Sequence, residues 1–116
     1  MTATYSFSIN QGSDVSLPII LKDCSGNVLD LTGYSVAMQI RKFKSSADAI
    51  DTLETSDGRI ALEAEAGKFT LSFPHQITET YPVGKLVYDI EIESGGGEIT
   101  RVLEGTISVS GEVTRV

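Results

Sequence analysis

The sequence predicts an all-β fold: an antiparallel sandwich of about seven to nine short strands, formed as one domain over residues 1–116. Three observations predict it. Apolar and polar residues alternate with period two through most of the chain, turn-forming residues interrupt that alternation at short intervals, and only the stretch near residues 75–80 suits a helical turn.

The elements follow in chain order. Val15, Leu17, Ile19 and Leu21 alternate with Ser16, Pro18, Ile20 and Lys22, which describes a strand with one apolar face. Pro18 cannot donate to a ladder, so this strand belongs at a sheet edge or beside a bulge. Turn signals follow at Asp23–Asn27 and Asp30–Gly33. Tyr34, Val36, Met38 and Ile40 then alternate with Ser35, Ala37, Gln39 and Arg41. After a turn at Ser56–Gly58, the run RIALEAEAGKFTLSF reads as a hairpin whose loop at Glu65–Lys68 sets Ile60 opposite Phe73 and Leu62 opposite Leu71. Helix propensity favours LEAEA, but alternation overrides it.

In the segment PHQITET, Pro74 suits the start of a short helix. Ile77 and Tyr81 then share a face that caps the core. A turn at Tyr81–Gly84 leads into LVYDIEIESGGGEITRVLEGTISVS, the most regular hairpin of the chain. Leu86, Tyr88, Ile90 and Ile92 share one face, and Asp89, Glu91 and Glu93 the other. On the return strand Ile99, Leu103, Ile107 and Val109 face inward. A two-residue turn at Gly95-Gly96 sets Ile92 opposite Ile99, Tyr88 opposite Leu103 and Gly105 opposite Leu86. The missing side chain at Gly105 predicts a bulge or the close approach of another backbone. Tyr88, Leu103, Ile90 and Ile40 are expected in the core.

Composition narrows the function. The single cysteine, Cys24, excludes an internal disulfide and is expected in a fold that holds under reducing conditions. Neither a signal peptide nor a run of membrane-spanning length is evident, so no membrane partner is expected. Sixteen acidic residues against nine basic ones give a net charge of −7, which speaks against nucleic acid. A duplex binder commonly neutralises about 6–10 phosphates, which here would require nearly every basic residue on one face.

Candidate sites are few. Asp23 to Asn27 with Asp30 faintly resembles the start of a calcium loop, but it lacks the alternating ligands and closing glutamate, and a tight turn accounts for it better. His75 is the only histidine, with Ser72, Thr78 and Glu79 near it in sequence. Nothing completes a nucleophile, base and orienter set, so no catalytic residue, metal, cofactor or small-molecule substrate is expected. Arg41, Lys42, Phe43 and Lys44 make a small cationic cluster with an aromatic platform, the best electrostatic handle for an acidic partner. Ile20, Val87 and Val102 lie on otherwise polar faces; Tyr5, Tyr34 and Tyr88 sit at apolar positions of their strands, which leaves Tyr81 as the tyrosine expected at the surface. Ile20, Phe43, Tyr81, Val87 and Val102 are the candidate interface residues, supplemented by the unpaired edge at residues 15–22.

The runs FSINQGSDVSLPIIL, DLTGYSVAMQIR and VGKLVYDIEIESGGGEITRVLEGTISVSGEVTR resemble small β-sandwich structural proteins of tailed phages. They are similar to the amino-terminal domain of the phage baseplate upper protein. The resemblance covers most of the chain and implies an immunoglobulin-like sandwich that acts without catalysis, as a virion subunit assembled in the host cytoplasm. Its implied partners are other virion structural proteins and copies of itself. The baseplate protein continues into a long fibrous part where this sequence ends at Val116, so a separate tail, baseplate or fibre-attachment adaptor is expected. A capsid decoration protein, or a receptor- or glycan-binding module using loops around Tyr81 and Lys42, is the alternative.

Overall fold

The computed structural model describes residues 3–23 and 25–111. The expectation for Cys24 and the end of the phage-like run, residues 112–115, lie outside those residues. Nine strands are formed among the described residues: β1 (Ala3–Thr4), β2 (Phe7–Asn10), β3 (Val15–Ile20), β4 (Ser35–Arg41), β5 (Asp51–Glu54), β6 (Ile60–Glu63), β7 (Lys68–Phe73), β8 (Gly84–Glu93) and β9 (Ile99–Ser110). A 3-10 turn at Ala64–Ala66 and one α-helical turn, α1 (His75–Thr78), complete the set.

The strands form two sheets. In the larger, β9-β8-β4-β5 are successive neighbours, with β1 and β2 both on the free side of β9; the smaller is β3-β7-β6. This is the G-F-C-C′ and B-E-D order of immunoglobulin domains. The chain is therefore an immunoglobulin-like β-sandwich. All pairs are antiparallel except those of β1 and β2, which run parallel to β9. That exception follows from the connection. Gln11 N–H donates to Ser110 O, so β2 leaves the sheet where β9 ends and crosses to β3 in the other layer.

Alternation places the core. Met38, Ile40, Leu53, Ile90 and Ile107 from the large sheet meet Phe69, Leu71 and Phe73 from the small one, all buried. Tyr88 and Leu103 are buried as expected. Phe7 joins the layers, its ring centroid 5.4 Å from Tyr88 and 6.1 Å from Phe73.

Two registers differ from expectation. In the β6–β7 hairpin Ile60 faces Leu71 and Leu62 faces Phe69, because the 3-10 turn and left-handed Gly67 (φ 62°) close the loop between Glu63 and Lys68. The slide is by two residues, so each residue keeps its face. In the β8–β9 hairpin the turn is not the Gly95-Gly96 pair. Ser94 N–H donates to Glu98 O, and Gly97 alone takes a positive φ (89°), in a five-residue loop. Glu93 therefore faces Ile99, and Ile99 points outward, 59% exposed rather than inside. A bulge at Val102 adds a second offset, which returns Leu103 to the core opposite Ile90. Val102 is thus half-buried against the core, not an outward residue.

Gly105 lies opposite Tyr88 rather than Leu86. The expected close approach is there: a Cβ at this position would collide with the Tyr5 carbonyl, which also accepts a hydrogen bond from Tyr88 Oη. Tyr5, expected at an apolar position, is exposed because the chain between β1 and β2 is pinned by its backbone.

The edges are guarded locally. Leu21 N–H donates to Gly67 O, which sets the odd residues of β3 as the pairs bonded to β7 and turns Ser16, Pro18 and Ile20 toward the open side. As expected, Pro18 sits on an edge strand, and it removes the central donor there. On β5, Thr55 N–H donates to Val36 O, so Thr52 and Glu54 point their N–H groups outward. Both find carboxylates, from Asp51 at 2.9 Å and Asp57 at 3.3 Å.

Replacing Gly105 with alanine is expected to push β1 and β2 off β9 and to cost about 1–3 kcal/mol by urea unfolding. Ile90→Ala should cost about 2–5 kcal/mol, because it empties a fully buried site between the layers.

Candidate functional site on the outer face of the large sheet

The outer face of β4, β8 and β9 holds a groove of about 230 Å³. Its floor is Val87, half-buried on the outward face of β8 between Arg41 and Thr106. Its walls arise because the loop after β4 folds back over the sheet. Lys44 reaches from that loop to Glu104 on β9, with Nζ 3.3 Å from Oε1. Arg41 braces the loop from below, donating to Ser46 O at 2.8 Å and to Gln39 Oε1 at 2.9 Å. On the far wall Arg101 lies 3.4 Å from Asp89 Oδ2 and 3.8 Å from Glu104 Oε1. Glu91, also in the lining, has no partner of this kind among the described residues. Exposed ion pairs of this type contribute little to stability, commonly about 0–1 kcal/mol. Their significance here is the pattern of charge.

The candidate residues do not gather into one surface. Ile20 is 53% exposed, but it points outward from the small sheet, on the opposite side of the sandwich from Val87. Phe43 is 62% exposed and lies between two groove residues, Arg41 and Lys44. The cationic cluster is therefore half of a mixed site: its charges sit across from Asp89, Glu91 and Glu104. Sequence reasoning read those carboxylates only as a wet face. The groove depends on a contact between residues 60 positions apart, for which no local pattern exists.

Tyr81 is not at the surface. It is 1% exposed, and its hydroxyl donates to Asp51 Oδ2 at 2.5 Å. Asp51 in turn holds Arg59, with Nη2 at 2.9 Å and Nη1 at 3.3 Å, while Arg59 Nε donates to Ser72 O. A buried hydroxyl needs a partner, and here it finds one on the edge strand β5. Burial, reinforced by the Asp51 carboxylate, pushes the Tyr81 phenol well above its usual range. Burial works against the Arg59 charge, but its bonds to Asp51 outweigh that and raise its pKa.

His75 is not assembled into a catalytic set either. Its Nδ1 lies 2.9 Å from Asp14 Oδ1, and its backbone N–H donates to the same oxygen, so Asp14 caps the first turn of α1. That backbone bond, with the ring beside it, holds the Asp14 carboxyl below the usual range. Thr78 Oγ1 is occupied elsewhere: it donates to Ser13 O and accepts from Gly12 N–H. The Asp23 stretch is a tight turn, Oδ1 accepting from the N–H groups of Ser25 and Asn27.

No protein-family model and no curated protein matches the chain. Among solved structures, the crystal structure of CopC from Methylosinus trichosporium OB3b is 16% identical over 70% of this chain and 67% of that one, with a TM-score of 0.41. The extracellular domains 3–5 of Drosophila OTK are 14% identical over 98% of this chain, with a TM-score of 0.39. This chain spans 34% of that structure's length.

Tyr81→Phe should lower stability by about 1–3 kcal/mol, since it strands part of the Asp51 hydrogen-bonding capacity. The raised phenol pKa also gives a direction with pH. The stabilising contribution is complete below the ordinary phenol value near 10, and it is lost as pH rises above that value. Phenolate absorbance from Tyr81 is therefore expected to appear together with alkaline unfolding, and the stability of Tyr81→Phe should fall less steeply with pH above about 10.

Proposed function

We propose that this chain is a non-enzymatic structural subunit of a tailed-phage virion, an adaptor of tail, baseplate or fibre attachment that acts through protein–protein contacts. The observation that carries the reading is the outer face of the large sheet. There the loop that walls a small groove with an apolar floor and charged walls also carries an exposed phenylalanine, the composition of an interface anchor with a polar surround. The phage-like sequence runs support it from the other side, since two of them supply β4, β8 and β9, the strands of this face. The glycan-binding alternative loses its anchor with Tyr81 in the interior, and the exposed ring next to Lys42 in the chain is Phe43.

An antiserum against the chain should decorate purified tailed particles from its source, at the tail or its tip, in immunoelectron microscopy. Particles free of the chain would overturn the virion reading.

A further inference from the structure

We propose that the groove floored by Val87 receives Phe43 from a second copy of this chain, in a two-fold interface where each copy supplies one ring and one groove. This rests on the assembly reading above and names one partner for the same face.

Three features of the molecule point to a second copy. The first is size. A groove of about 230 Å³ lies below the roughly 300–1,000 Å³ of sites for drug-sized ligands and suits a single side-chain ring. The second is reciprocity. Phe43 is exposed and flanked in the chain by Arg41 and Lys44, which line the groove, so one short loop carries the ring and walls the receptor. A two-fold axis between them brings ring to groove and groove to ring at once, as an isologous contact requires.

The third is charge. The chain carries −7, so two copies repel over most of their surfaces. Among the described residues lining this groove, however, three cations (Arg41, Lys44, Arg101) balance three anions (Asp89, Glu91, Glu104). A locally neutral patch holding both signs is complementary to its own rotated image. Glu91, which forms no ion pair among the described residues, offers an anion to a cation of the other copy. A purely acidic or purely basic partner would meet repulsion from half of this rim.

The competing association, strand addition at an open edge, is opposed by Pro18 on β3 and by the carboxylate-capped N–H groups on β5. At these two edges face contact is favoured over strand addition.

The test is sedimentation equilibrium of the full chain up to millimolar concentration, with thermal melts to confirm folding. Wild type is expected to dimerise. Phe43→Ala, which removes an exposed ring and leaves the core intact, should weaken the dimer about tenfold or more. Lys44→Glu makes the rim net negative and Glu91→Lys makes it net positive, so each alone should also weaken self-association about tenfold or more. Mixing those two variants should restore a heterodimer. A monomeric wild type, a Phe43→Ala dimer as tight as wild type, or a mixture that stays monomeric would each overturn the proposal. Particles still labelled by antiserum while the chain is monomeric would leave the virion reading standing and remove only the second copy as partner.

Discussion

Everything built on the large sheet depends on one strand keeping its sides apart. Side chains on a strand alternate strictly, so a single-residue slip sends an entire apolar face into water. The five-residue loop before β9 imposes such a slip, and Ile99 shows its result on the surface. The bulge at Val102 cancels it one turn of the pleat later, so that Leu103, Ile107 and Val109 return to the interior. Without that extra residue Tyr88 would face Glu104 and Leu86 would face Thr106 across the ladder, and Arg101 and Glu104 would not share the outer wall of one groove.

The two layers are joined by apolar contact in the middle and by polar contact at one corner. There Tyr81, Asp51 and Arg59 tie the edge of the large sheet to the start of β6 and the end of β7. An aspartate removed from water is tolerable only with its partners in place. The same corner receives the entry to β3, since Gln11 Nε2 donates to Tyr81 O. At the opposite side the Gly105 notch admits Tyr5, so the amino-terminal strands are placed by a missing side chain and by the Tyr88 hydroxyl together.

What the sequence revealed and what it hid divide along the range of the interaction. Strand faces were legible because alternation is a local property: Met38, Ile40, Ile90 and Ile107 needed only their immediate neighbours to be assigned inward. The edge position of β3 was legible for the same reason, through Pro18. Registers were less so, because they hang on loop conformation, and a run of three glycines does not say which of them takes the left-handed region. Tyr81 was misplaced for a different cause. Its partner lies 30 residues away, and a tyrosine beside proline and glycine looks the same in sequence whether or not an aspartate waits for it. The groove was invisible on the same grounds: Lys44 and Glu104 become neighbours only in three dimensions.

The guarded edges bear on how such a chain tolerates crowding. Exposed strands are templates on which identical molecules stack without limit, and fibrils are the usual end of that process. Here a proline ring blocks one template and two aspartates occupy the donors of another. Molecules held close together at high local density are thereby hindered from open-ended growth at these two edges.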